Sequence, residues 1–233
     1  MGQVSRRSPR PEVLDRIAFS VETHALAVAL GMDGKPDLEA ELRGLVAEAA
    51  TIGRPRAVYR EVLIGWSTDN QTELDGVVFE SRVLAGHLRR ADKAFPFVAT
   101  CGVELASWAE SQRDTLMRYG AEKISELAAR AALRAVAERV DAVYGLSQAA
   151  VMNPGSLPDW PVDQQSPLFR LLGDVQGLIG VSLTESFMMR PIKSVSGIRF
   201  AVDKAFESCE LCDREVCEER KAPYQGIENR RYG

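Results

Sequence analysis

The sequence predicts an α+β fold, a largely antiparallel sheet flanked by helices. Short β-branched and aromatic runs are interspersed with helical patterns along the chain. The last two such runs, 181–186 and 195–202, are joined too tightly for a parallel crossover, which takes a dozen or more residues. A long Ala-rich stretch from about 120 to 144 carries an apolar stripe at helical spacing, which gives one dominant helix.

The elements follow in order. Residues 1–11 are polar and basic and read as a disordered arm. Asp37 is placed to cap a helix running to about Thr51, with Leu38, Leu42, Leu45, Val46 and Ala49 on one face. Gly53 stops it. Residues 58–64 alternate as one strand. A helix is expected over 81–90, a buried strand over 95–101 and another helix over 103–117. In the long helix, Ile124, Leu127, Ala131, Val136, Val140 and Val143 form the stripe. Glu126, Arg130, Arg134 and Glu138 stand four apart as a ladder of neighbouring charges.

Residues 152–160 are a turn-rich loop. Ser166 and Pro167 open a helix as cap and first-turn proline, with Leu168, Leu171, Leu172, Val175, Leu178 and Ile179 buried and Gly180 at its end. Two strands follow, over 181–186 and 195–202. The expected organisation is an arm at 1–11, an α+β domain at 12–205 and a cysteine-containing segment at 206–233. No internal repeat is visible.

Composition excludes several function classes. The chain has 233 residues, 45% hydrophobic and 27% charged, which places it among globular proteins that can bury a real core. A net charge of -4 is unlike a strongly basic nucleic-acid binder, so no nucleic-acid partner is expected. No apolar run reaches the ~20 residues of a membrane span, and the start is unlike a secretory signal. The expected compartment is the cytoplasm. Two histidines, His24 and His87, lie too far apart in sequence for His-based zinc motifs and sit in no recognisable nucleophile–base setting. Neither a P-loop nor a dinucleotide-binding glycine pattern is present.

Residues 183–197 read Leu-Thr-Glu-Ser-Phe-Met-Met-Arg-Pro-Ile-Lys-Ser-Val-Ser-Gly. This segment resembles the activation (reactivation) domain of vitamin B12-dependent methionine synthase, which carries Leu-Thr-Glu-Ser-Phe, a Pro, and then Ser-Val-Ser-Gly at this spacing. Asn153-Pro154-Gly155 resembles that family's Pro-Gly turn, and the helix start at 121–126 resembles its helix with a ligand-facing Glu, here Glu126. The resemblance covers about 121–202.

It implies a reactivation factor, in stand-alone form, that binds S-adenosylmethionine and supports reductive methylation of oxidised cobalamin. The cobalamin would sit on a partner, a corrinoid-binding methyltransferase or carrier protein, because the Asp-x-His-x-x-Gly pattern of corrinoid carriers is absent here. A redox protein delivering electrons to the corrinoid, or a non-catalytic docking partner, are the alternatives.

The implied ligand site comprises Glu126, Asn153, Pro154, Gly155, Glu185, Ser186, Ser194, Ser196 and Gly197. Gly155 lets backbone approach a ligand closely, and it equally suits a plain tight turn. Glu126 can accept from an ammonium, or pair with Arg130. Thr184, Glu185 and Ser186 can serve a ligand or simply hold a hairpin. Three departures from the family stand out. Its carboxylate-binding Arg, three residues before the Pro, is Val151 here. The Tyr after the Gly is Ser156, and a further Tyr falls near Glu207.

Cys209, Cys212 and Cys217 form Cys-x2-Cys-x4-Cys, spacing that lets thiolates converge on one metal. An iron–sulfur cluster, a zinc ion, and a metal-free state that includes a Cys209–Cys212 disulfide all remain open. A fourth ligand could be Cys101, water, a substrate or a partner group.

Overall fold

Strand β6 (Lys93–Thr100) is the axis of the sheet. Its apolar sequence is buried from Ala94 to Thr100, because it pairs on both edges and is covered on both faces. On one edge it pairs antiparallel with β10 (Ser194–Ala201), from Ser194↔Thr100 to Phe200↔Ala94, and β7 (Ala149–Met152) lies beyond β10. On the other edge β2 (Arg56–Tyr59) pairs with the second half of β6, and β1 (Glu12–Leu14) lies outside β2. The first part of β6 pairs with β3 (Val62–Ser67), which continues into β4 (Gln71–Leu74) and β5 (Val77–Glu80). Every strand pairing among the described residues is antiparallel, in line with the largely antiparallel sheet expected. The computed structural model describes residues 9–203, 206–217 and 220–226. Most of the expected arm, residues 1–8, lies outside that range.

The single strand expected over 58–64 is two strands. Pro96 explains the break. It accepts from Arg60 N–H through its carbonyl at 3.1 Å, but has no N–H of its own to return on that edge, and there the neighbour changes from β2 to β3. The β4–β5 hairpin is absent from the sequence prediction. Its turn, Asp75-Gly76, has φ values of 48° and 80°, the positive pair a two-residue hairpin turn requires.

Alternation along the strands sorts side chains into two layers. Ala57, Tyr59, Phe95, Phe97 and Ala99 meet Ala132, Val136 and Val140 of helix α5 (Thr115–Tyr144). Val58, Ala94, Val98, Ile198 and Phe200 face the other way. There they join residues of α3 (Arg82–Leu88), α6 (Gln165–Leu172) and α7 (Val175–Ile179). Helices α1 (Thr23–Ala29), α2 (Pro36–Ile52) and α4 (Val103–Ser111) build a satellite core with the first half of α5, through Leu26, Leu42, Leu45, Leu105, Ile124 and Ala128.

Helix boundaries differ from expectation for local reasons. Asp37 lies in the first turn of α2, behind Pro36, rather than at its cap. The expected helix over 103–117 ends at Ser111, and Asp114 caps α5 by accepting from Met117 N–H, so α5 starts before Gly120. The helix expected from Ser166 to Ile179 is interrupted at Gly173, φ 88°, and Asp174 caps α7 through Gly177 N–H. The strands expected over 181–186 and 195–202 are not partners. Strand β8 (Ser182–Leu183) pairs with β9 (Met189–Arg190), and β10 pairs with β6 and β7. Phe206 and Leu211 are buried in the core that fills the α6 face of the sheet. No helix among the described residues is long and apolar enough to cross a membrane.

A clamp fixes the N-terminal edge strand. Tyr59 Oη donates to Glu12 Oε2 at 2.7 Å, and Arg139 Nε of α5 donates to Glu12 Oε1 at 2.8 Å. Burial first, and then the bond to the Glu12 carboxylate, push the Tyr59 phenol up from 10.0 to about 12. Burial alone would raise the Glu12 pKa, but the bonds from Tyr59 and Arg139 outweigh it and hold the carboxyl below its usual range.

Two outcomes follow from this packing. Phe97→Ala opens a void between sheet and α5 and lowers stability by about 3–5 kcal/mol, read as the midpoint of urea unfolding. The raised Tyr59 pKa means folding stability is intact below pH 10 and falls as pH rises toward about 12, because the unfolded phenol ionises first. Tyr59→Phe lowers stability at neutral pH and flattens the alkaline limb of the stability–pH curve. An unchanged alkaline limb would show that Tyr59 does not carry this dependence.

Candidate functional site

The family-like residues are placed by β7, β10 and the loops beside them. Asn153 Nδ2 donates to the Ser196 carbonyl at 2.7 Å, and Ser196 Oγ donates to Gln165 Oε1 of α6 at 3.1 Å. Both Ser196 and Gln165 are buried. Gly197 is held where a side chain does not fit: a Cβ there would stand 2.7 Å from Asn153 Nδ2 and from the Met152 carbonyl, and 3.0 Å from Phe97 Cζ. Asn153, Ser196 and Gly197 therefore form one unit, tied to α6 on one side of the sheet and to Phe97 on the other.

The turn itself is internally satisfied. Gly155 N–H donates to the Trp160 carbonyl at 2.7 Å, Ser156 N–H to the Asn153 carbonyl at 3.1 Å, and Ser156 Oγ to that same carbonyl at 2.6 Å. Pro154 is buried, and Gly155 has φ 83° with Val162 Cβ 3.2 Å from where its own Cβ would be. The Gly155 and Ser156 amides hold the turn and are not aimed at a ligand.

Other expected residues lie apart from this unit. Glu126 accepts from Arg130 Nη2 at 2.5 Å and from Lys123 Nζ at 3.2 Å. Burial would raise its pKa, but those two cations outweigh it and keep the carboxylate ionised. Glu185 and Ser186 are exposed at the tip of the β8–β9 hairpin. Thr184 closes that hairpin, with its N–H on the Met188 carbonyl at 2.9 Å and its hydroxyl accepting from Met188 N–H at 3.1 Å. Ser194 Oγ donates to Thr100 Oγ1 at 2.9 Å or to the Pro191 carbonyl at 2.7 Å, and so pins the start of β10.

The cysteine loop is organised around its backbone carbonyls. Among the described residues, no group of three or more His, Cys, Asp or Glu side chains is arranged to hold a metal ion. All four cysteines are free. The loop closes instead around the Arg220 guanidinium, which donates to the carbonyls of Cys209 at 3.1 Å and Cys212 at 3.4 Å, and to that of Arg214. Cys209 Sγ accepts from Lys221 N–H at 3.4 Å, whereas Cys212 packs against the main core. Cys101 cannot complete a set with them, since it is buried in the satellite core, where burial pushes its thiol up to about 11. Among the described residues, Cys209, Cys212 and Cys217 are not brought together as the iron–sulfur or zinc site that their spacing allows.

Two features escaped sequence reading. Arg199 on β10 makes a bidentate pair with Asp141 of α5, at 2.8 and 2.5 Å, joining the helix to the strand that carries Ser196 and Gly197. On the opposite flank of α5, next to β1, residues 14–18 and the helix enclose a groove of about 720 Å³. Leu14, Ile17, Ala131 and Ala135 give it apolar lining, and Asp15, Arg16, Arg134 and Glu138 give it charge. The charge ladder on the long helix was the available signal for the groove; the Arg199–Asp141 pair left none.

Comparison with known proteins places these features. Residues 154–219 match the family described as vitamin B12 dependent methionine synthase, activation domain. The match extends past the segment legible by motif and takes in Cys209, Cys212 and Cys217. No curated protein matches the chain. Among solved structures, the crystal structure of the MetH reactivation domain bound to AdoHcy is similar, with a TM-score of 0.55 and 21% identity over 78% of this chain and 67% of that one. Residues 154–219 therefore carry the activation-domain pattern of vitamin B12 dependent methionine synthase, on a chain with the α+β fold of the MetH reactivation domain.

Proposed function

We propose that this chain reactivates a corrinoid-dependent methyltransferase such as methionine synthase, by supporting reductive methylation of its oxidised cobalamin with S-adenosylmethionine. The observation that carries the proposal is the coincidence of the two likenesses on one chain. The family pattern covers the turn and β8–β10, and the similar structure holds AdoHcy, the product left when S-adenosylmethionine gives up its methyl group.

The chemistry asked of the system is balanced. One electron from an external donor protein reduces the partner's cob(II)alamin, a cobalt–carbon bond forms as the sulfur–carbon bond breaks, and the electron pair of that bond stays on sulfur. This chain's share is to bind the methyl donor and to hold it against the partner's corrinoid. Within that role, Asn153, Ser196 and Gly197 set the height of the sheet surface beside the Pro154-Gly155 turn, and the 185–193 hairpin and loop present exposed Met188 and Ile192 to a partner.

Recovery of a methyltransferase from its oxidised state tests the proposal. With a one-electron reductant and S-adenosylmethionine present, adding this chain restores turnover to a corrinoid methyltransferase that lacks its own activation domain. Gly197→Leu, which drives a side chain into Asn153 and Phe97, lowers the recovery rate at least about tenfold with far-UV circular dichroism retained. Recovery that proceeds at the same rate without the chain would contradict the proposal.

A further inference from the structure

Residues 153–165 leave the sheet and return to the same point on it. At one end Asn153 Nδ2 donates to the Ser196 carbonyl at 2.7 Å, and at the other Gln165 Oε1 accepts from Ser196 Oγ at 3.1 Å. Between these ends the Pro154-Gly155 turn is held from within. Gly155 N–H donates to the Trp160 carbonyl at 2.7 Å, and Trp160 N–H to the Leu157 carbonyl at 3.0 Å. Those bonds fix the shape of the turn but not its place on the molecule. Burial of Trp160 draws the loop to the core, yet apolar burial has no direction. Asp159, the residue before Trp160, supplies a directed tether. Its Oδ2 accepts from Ser81 Oγ at 2.5 Å and from Val83 N–H at 3.0 Å, and Arg82 Nε stands 3.6 Å from Oδ1. Gln164 Oε1 adds a bond from Glu80 N–H at 3.1 Å.

We propose that Asp159 is a positioning residue for the methyl-donor site: it fastens the Pro154-Gly155 turn to the β5–α3 junction and so sets where that turn stands beside Asn153 and Gly197. This rests on the reactivation function proposed above, with its ligand beside that turn. Asp159 acts through Trp160 and Gly155 rather than on the ligand. Its carboxylate is not required as the cap of α3, because Ser81 Oγ already accepts from Leu84 N–H at 3.0 Å. The Asp159 side chain is only 12% exposed. Its charge-assisted bonds are about twice as strong as neutral ones, and they are directional.

The test is recovery of an oxidised corrinoid methyltransferase that lacks its own activation domain, measured over a range of S-adenosylmethionine concentrations with the full chain and its variants. Asp159→Ala is expected to raise the half-saturating concentration at least about fivefold while the recovery rate at saturation stays within about twofold, since the site shifts and the chemistry does not. Asp159→Glu keeps the charge but lengthens the tether by one methylene, and is expected to raise it about threefold. Asp159→Asn keeps an acceptor for Ser81 and Val83 and restores most of the affinity. Leu42→Ala is the control for stability alone. It opens a void in the satellite core, away from the turn, and lowers the urea midpoint without moving half-saturation. Circular dichroism confirms that each variant is folded.

Wild-type half-saturation in the folded Asp159 variants would overturn the positioning role and leave the reactivation function standing. So would a rise in Leu42→Ala equal to that in Asp159→Ala, because the effect would then belong to stability. No recovery with the wild-type chain would defeat the reactivation function and the positioning role with it.

Discussion

The structure depends on the burial of β6 from all sides. A strand paired along both edges and covered on both faces has no solvent to satisfy a stray polar group, so its neighbours must supply every partner. They do so with residues distant in sequence: Ser194 reaches Thr100 across a separation of 94 residues. That pairing brings β10 into the sheet, and β10 carries Ser196 and Gly197. The family-like segment is therefore positioned by a strand that has no functional residue of its own, and a void at Phe97 loosens the site together with the core.

Helix α5 extends the same constraint outward. The small side chain of Ala132 on its inner side lets it lie close against the aromatic side chains of β2 and β6. Its two flanks are then tied to strands on opposite sides of β6, by Arg139 to Glu12 on β1 and by Asp141 to Arg199 on β10. Between the tie at Glu12 and the helix surface a groove remains. It exists because residues 14–18 leave the sheet edge at the point where α5 turns small alanines, Ala131 and Ala135, toward them.

Much of this was legible in the sequence, and the rest fails for identifiable reasons. The β6 run and the stripe of α5 are strongly periodic, so both elements and the α+β class were readable. The single strand expected over 58–64 divides because Pro96, on a different strand, interrupts it. Nearness in sequence favours a hairpin of β8 with β10, whereas a short turn at Thr184 and Phe187 pairs β8 with β9 instead. At the site, the residues from Leu183 to Gly197 were recognisable as a pattern. Their contacts were not, since Gln165 reaches Ser196 only after α6 is laid on the sheet. The cysteine spacing allowed a metal, but Arg220 gathers the backbone of that loop by its carbonyls and Cys212 packs into the core. Of the ladder on α5, spacing alone does not decide which members pair. Glu126 and Arg130 pair, whereas no ion pair joins Arg134 and Glu138 among the described residues.

On the proposed function, this chain holds S-adenosylmethionine for methyl transfer to a corrinoid carried by another protein. Methyl-labelled S-adenosylmethionine, supplied with a one-electron reductant to a cob(II)alamin-loaded methyltransferase, measures it directly. The account predicts one labelled methyl per cobalt, formed only when this chain is present, with AdoHcy released in equal amount. An unlabelled corrinoid that nonetheless returns to activity in the presence of the chain would contradict it.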